Sequence, residues 1–317
     1  MQPTVPLYVS PGLWRLPVVP NLETAVLYTL AYSDVFDYPL TSEQIVRYLI
    51  GLSASHGEVR RALGSVAGIE TDGHYHYLRG RGDITALRRS RDAVSQHIWP
   101  RAVAYGLRIA RMPFVRMVAL TGALAMGNAS SENDDYDYLI VTEPGRLWMT
   151  RAMVIALVVR PAALVGFEIC PNYIVTSDHL IVSQRDLYTA HELAQMVPLA
   201  GHDLYQMFRR SNAWTDAFLP NAQGSPSQQV PADGRRRGLT RTVVEPLLRS
   251  HVCTRFEQWE MHRKIVRLSA GEPDAELSFD EHCCKGHVGS HSRQVHAEFV
   301  QRLAALPIQS TSTVGSR

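Results

Sequence analysis

The sequence predicts an α/β protein in three parts: an N-terminal helical module, a small mixed sheet, and a helical C-terminal region. Three observations carry this expectation. Residues 21–66 hold apolar stripes of helical period, two of them opening on a capping-box spacing. Residues 115–142 hold two apolar runs separated by a glycine turn and a polar loop, the pattern of paired strands. After Pro220 the composition shifts to Gln, Ser, Pro and Gly as far as Gly238, which reads as a linker.

The chain of 317 residues is 45% hydrophobic and 20% charged, a balance that excludes disorder of the whole and leaves room for two cores. A net charge of +2 points to neither nucleic acid nor membrane as a partner of the whole chain. Cys170, Cys253, Cys283 and Cys284 are too few and too unevenly placed for a disulfide framework, and no secretory leader precedes them, so a cytoplasmic setting is expected. The most apolar stretch, Ala152 to Gly166, is interrupted by Arg160 and Pro161. It falls short of the roughly 20 residues a bilayer span needs, and is expected to be a buried helix with no membrane as partner.

Element by element, the proline-rich residues 1–20 read as an extended arm. Residues 21–110 form the first module and a connecting helix. Asn21 is placed to cap a helix carrying Leu22, Ala25, Val26 and Leu30. Thr41 with Gln44, and Ser55 with Glu58, open a second and a third. Ile69 to Leu78 reads as a hairpin turning at Asp72-Gly73. Helical pattern resumes from Ile84 to Ala110, with a kink or break expected at Pro100. The core is expected over 111–221, the linker over 222–238, and a helical tail over 239–317. In that tail Leu248, Val252, Phe256 and Trp259 recur at helical spacing, and a last helix covers Ser292 to Leu303.

Three helices followed by a hairpin resemble a winged helix-turn-helix, on element order alone. Arg79, Arg81, Arg88, Arg89 and Arg91, within thirteen positions, would suit phosphate contacts beside the wing, or form a solvated helix face. DNA or a partner protein is the partner this module implies.

The chemistry-bearing segment is Leu120-Thr121-Gly122-Ala123, followed after eleven intervening residues by Asp135-Tyr136-Asp137-Tyr138. Gly122 would end the strand Val115 to Leu120 and open a short helix whose free N–H groups can approach a phosphate closely. Asp135 and Asp137, two apart at the start of the strand Tyr136 to Thr142, project to one side and bring two hard oxygen ligands together.

This pattern resembles that of the DNA polymerase β-like nucleotidyltransferase superfamily, in which a hydrophobic residue, Gly, and Gly or Ser precede an Asp-x-Asp pair by a similar spacing. The resemblance implies a small mixed-sheet nucleotidyltransferase core within an α+β chain. It also implies Mg²⁺ held by Asp135 and Asp137, and an NTP whose phosphates lie against Gly122, Ala123 and Asn128. The reaction implied is transfer of a nucleoside monophosphate to a hydroxyl acceptor that the sequence does not identify. A third carboxylate belongs on a later strand near Phe167 to Thr176. Glu168 is the acid available there, Asn172 is an alternative occupant of that place, and Asp178 and Asp186 are weaker candidates. Two departures weaken nucleotide binding: the phosphate-binding Ser is Ala123, and a frequent Arg is Met126. A catalytically degenerate protein that binds DNA or a partner is the competing expectation.

Other residues invite chemistry less strongly. His191, in the helix expected over Asp186 to Met196, is a conceivable general base, though such histidines are more often structural. His282, Cys283, Cys284, His287, His291 and His296 invite a zinc reading, but their spacing fits no standard site. No Walker loop or complete Gly-x-Gly-x-x-Gly occurs, which leaves kinase, P-loop and Rossmann readings without support.

Overall fold

The computed structural model describes residues 8–10, 13–14, 18–224, 240–269, 278–285 and 291–306. The protein is a mixed α/β structure. Tyr8–Ser10 (β1) and Leu13–Trp14 (β2) pair antiparallel, so the described part of the arm is a small hairpin. Most of the expected linker, including its Asp233-Gly234 and three arginines, lies outside the described residues.

The N-terminal module follows its capping signals. Asn21 accepts the Thr24 amide at the head of α1 (Leu22–Asp34). Thr41 and Ser55 complete reciprocal capping boxes at α2 (Ser42–Arg47) and α3 (His56–Ser65). The hairpin β3 (Ile69–Thr71) and β4 (His76–Leu78) turns where expected: Asp72 Oδ1 accepts the amides of His74 and Tyr75, and Gly73 takes a positive φ. α4 (Ile84–Ala110) then runs through Pro100 without interruption. Pro100 removes one amide but does not end a helix held on both sides by packing: Ile98 and Ala102, flanking it, are fully buried.

The central sheet has six strands in the order β8 (Val197–Ala200), β5 (Val115–Leu120), β6 (Tyr136–Thr142), β7 (Ile169–Thr176), β10 (Cys283–Lys285) and β9 (Ser278–Phe279). β5 is antiparallel to β6 and to β8, while β6 is parallel to β7. Both faces are covered, as the unbroken apolar runs of β5 and β6 require. Val118, Leu120, Tyr138 and Ile140 face α4 and α6 (Leu147–Val154), around the fully buried Trp148. Met117, Ala119, Leu139 and Val141 face α8 (Leu187–Gln195) and α9 (His202–Ser211). The period of two in β6 therefore sends Asp137 to the same side as Leu139 and Val141, toward α8.

α6 continues through a π-helical turn, Ile155–Val159, into α7 (Arg160–Leu164). The whole stretch Leu147–Leu164 is long and apolar enough to cross a membrane by length and composition. Trp148, Val154, Val158 and Ala162 nevertheless belong to the core cluster, while Leu157, Leu164 and Val165 are exposed. The expected buried helix is thus buried on one face only.

The C-terminal region is not purely helical, which corrects the sequence expectation. After the helices Glu245–Leu248 and His251–Ser269, two short strands, β9 (Ser278–Phe279) and β10 (Cys283–Lys285), extend the sheet. β7 would otherwise present an open row of backbone donors and acceptors, and β10 satisfies that edge. The last helix, His291–Ala305, packs on α1 and α8 through the fully buried Phe299, and Arg302 Nε bonds Asp34 Oδ2 at 2.8 Å.

Buried carboxylates fasten this region to the core. Glu245 accepts the Phe114 amide and the Arg116 guanidinium, each at 2.8 Å. Glu257 accepts the amides of Trp148 and Met149 at 2.8 and 2.6 Å, occupying the N-terminus of α6. A Glu257→Gln variant keeps the shape but sets an amide NH₂ against a backbone donor. A loss of roughly 2 kcal/mol is expected in urea unfolding, and an unchanged midpoint would show that the cap adds nothing.

Candidate active site

Gly122 stands at the C-terminal end of β5, where φ of +69° turns the chain into the four-residue helix α5 (Gly122–Ala125). Directly beside it is Asp137. A Cβ on Gly122 would lie 3.2 Å from Asp137 Cγ and far inside contact with Oδ2, so only glycine admits the carboxylate here. The amide of Thr121 donates to the Asp137 carbonyl at 2.9 Å, which fixes this register. Asp135 is exposed just ahead of β6. One ligand atom each from Asp135, Asp137 and Cys170 fall within 4.8 Å of one another.

The environment of Asp137 is unusual for a carboxylate. Its Oδ1 is buried and has no hydrogen-bond partner. Burial first, then the charges of Asp135 and Glu192, push its carboxyl up to about 7, while a hydrogen bond from the Cys170 thiol pulls the other way. Burial and the Asp137 charge push that thiol up to about 12, so it is a neutral donor at physiological pH.

A further acid at the cavity floor is Glu192, from α8. Glu168 is exposed ahead of β7, gives its carbonyl to the Tyr136 amide and does not line the cavity. The register instead places Cys170 opposite Asp137, and Asn172 lines the cavity beyond it. Burial raises Glu192 to about 7, opposed by Lys285 and by a hydrogen bond from the Gly122 amide. Glu192 therefore occupies one N–H that the sequence reading reserved for phosphate. A signal for it existed: Tyr188, His191, Glu192 and Gln195 follow helical spacing and all line the cavity. Sequence reasoning weighed His191 instead. That ring stacks on Tyr32 with centroids 4.0 Å apart, its Nδ1 lies 2.9 Å from the Leu187 carbonyl, and burial pushes it down to about 4. Burial favours the neutral ring, which packs on Tyr32 and also lines the cavity.

In front of these residues lies a cavity of about 340 Å³ between the sheet and the N-terminal module. Gly122, Ala123, Asn128, Asp137 and Glu192 form its floor, and α1, the Phe36–Leu40 segment, Tyr48 just past α2, Tyr188 and His191 of α8, and His291 supply its walls. Asn128 joins the two parts: its Oδ1 accepts from Arg91 at 3.2 Å. Met126 does likewise, its carbonyl accepting from Tyr38 and Arg88.

The five clustered arginines are engaged within the fold. Arg79 meets Glu70, Arg81 meets Asp34 and Asp37, Arg89 meets Asp72, and Arg91 donates to the Phe36 carbonyl. Arg88 is buried, donates to the Gly127 carbonyl at 3.0 Å and pairs with Asp92 at 3.1 Å. Among the described residues the tail's histidines and cysteines are not gathered into one metal site either. Cys284 is buried in the core, His291 lines the cavity, and His287 lies outside the described residues. His282 groups instead with Asp178 and His179 at the surface. Asp186 caps α8 by accepting the Thr189 amide.

Compared with protein-family models, curated proteins and solved structures, the chain finds no match. What can be said of its chemistry therefore follows from the site itself.

Proposed function

We propose that the protein is a divalent-cation-dependent nucleotidyltransferase, with a polymerase β-like core over residues 111–221 and a winged-helix-like module that walls its active site. One observation carries this reading: the buried, unpartnered Oδ1 of Asp137, beside Asp135 and against Gly122, at the floor of a cavity. Two adjacent carboxylates, one of them desolvated, are held at a cost that a bound cation removes. Their oxygens suit Mg²⁺ or Mn²⁺; the neutral Cys170 thiol is a poor ligand for Mg²⁺. Bound there, the ion would neutralise triphosphate charge and lower the pKa of an attacking hydroxyl.

In the proposed reaction the acceptor hydroxyl oxygen forms a bond to the α-phosphorus of an NTP. The bond from that phosphorus to the bridging oxygen breaks, and pyrophosphate leaves. The hydroxyl proton passes to water on the exposed Asp135 side. Gly122 leaves room for the phosphates, and Ala123 lines their approach without a hydroxyl to contribute. The triphosphate would have to draw the Gly122 amide away from Glu192.

A second reading is favoured by that same hydrogen bond, together with Cys170 in the third-acid position: a degenerate core that binds DNA or protein without turnover. Pyrophosphate release from the four NTPs with Mg²⁺ or Mn²⁺ separates the two. The wild type is expected to exceed an Asp135→Asn, Asp137→Asn double variant by on the order of a hundredfold or more. Failure of every NTP to bind with metal present would sink the enzyme reading. Salt-dependent binding to duplex DNA would then support the second.

A further inference from the structure

The cavity is lined by aromatic rings, two carboxylates and the imidazoles of His191 and His291. Tyr32, Phe36, Tyr38, Tyr48 and Tyr188 line it, and Asp137 and Glu192 stand at its floor. Among the described residues no Lys or Arg lines it. His191 adds no positive charge at neutral pH, because burial keeps its ring neutral. Arg88 lies behind the wall, its guanidinium 3.8 Å from the Tyr38 ring centroid and its charge matched by Asp92.

We propose that this cavity is the acceptor site and that it selects a small organic cation, an alcohol bearing an ammonium group, held between the aromatic rings and the Glu192 carboxylate. The hydroxyl's part in this rests on the nucleotidyltransferase reading; the preference for a cation follows from the aromatic rings and Glu192. Aromatic faces carry a negative quadrupole that attracts an ammonium, and the attraction grows where water is excluded. A metal ion at Asp135 and Asp137 leaves Glu192, on the opposite element, as the negative group facing the cavity. A cationic acceptor would add to the partial compensation that Lys285 and the Gly122 amide give that carboxylate, whereas an anionic one would oppose it. Ser33, Asn172 and Gln195 also line the cavity and offer partners for a hydroxyl. The volume fits a small molecule rather than a polymer.

The test compares choline with 3,3-dimethylbutan-1-ol, its neutral isostere, by calorimetry on the full chain at pH 8 with Mg²⁺ present and without NTP. Choline is expected to bind roughly tenfold or more tightly than the alcohol. Glu192→Gln should remove about that advantage and leave alcohol binding unchanged. Tyr188→Leu, at a less buried wall position, should weaken choline in the same direction, so that one misfolded variant does not decide the matter. Equal affinity for the two probes, or no choline binding at millimolar concentration, overturns the proposal. Since neither arm contains nucleotide, a failure to turn over NTP leaves this result untouched, and a failure to bind choline leaves the transferase assay untouched.

Discussion

At pH 8 an Asp137→Asn variant is expected to melt above the wild type, by roughly 5 °C, while losing any response to divalent cations. The reason is the raised proton affinity of this carboxyl. In the folded protein it titrates at about 7, against an ordinary value of 3.8. Between those values the folded state holds the proton more tightly than the unfolded chain does. Stability from this group is therefore fully present below about pH 4, declines as pH rises through 7, and is lost above it. The loss is on the order of 2–4 kcal/mol, shared with Glu192, whose carboxyl is raised for the same first cause, burial. An amide cannot ionise, so the variant escapes the decline. Thermal melts at pH 5 and pH 8 check this: the two proteins should converge at the lower pH and separate at the higher. Mn²⁺ or Mg²⁺ at pH 8 should raise the wild type alone. A variant that melts below the wild type at pH 8 would mean that the Asp137 charge is already compensated within the fold.

Gly122→Ala should abolish turnover, by on the order of a hundredfold or more, with a modest loss of stability. Two effects combine at this position. A left-handed backbone at φ +69° costs an L-residue roughly 1–2 kcal/mol. The new methyl also enters the space of the Asp137 carboxylate, whose Cγ would lie 3.2 Å away. The carboxylate is the softer partner, so it is expected to rotate rather than the strand to yield. Cation binding should then fall with activity, while the melting temperature drops only several degrees. The measurement that separates site from fold is Mn²⁺ titration alongside thermal melting. Normal cation affinity in a folded Gly122→Ala protein would place the ion away from Asp137.

The local elements were legible because their signals are local. Asn21, Thr41 with Gln44, and Ser55 with Glu58 each cap a helix through atoms three residues apart, so tertiary packing had little to add. The hairpin at Asp72-Gly73 and the placing of Asp135 and Asp137 at one strand start were equally readable. The stripe Val252, Phe256 and Trp259 marks a helix, as its spacing predicts, but not the face which that helix buries. Those side chains are exposed, and the helix buries Glu257 and Glu260 instead. Glu257 faces inward because α6 presents unpaired amides to it, a condition visible only once both helices are docked.

The groups around Asp137 show the same division. A strand position near Glu168 was the expected source of a third acid, but the register of β6 and β7 sets a thiol opposite Asp137, and an acid from α8 comes in from the covering layer. Sequence periodicity fixes which side of an element a residue occupies; it carries no information about which distant element covers that side. By itself, then, the sequence determined the α/β class, the helix starts, the glycine turn and the paired aspartates, all set by short-range sterics and hydrogen bonds. Only the tertiary structure decided that the N-terminal module and the last helix close over Asp137, because that closure depends on packing between Tyr32, His191 and Phe299, each more than a hundred positions from the next.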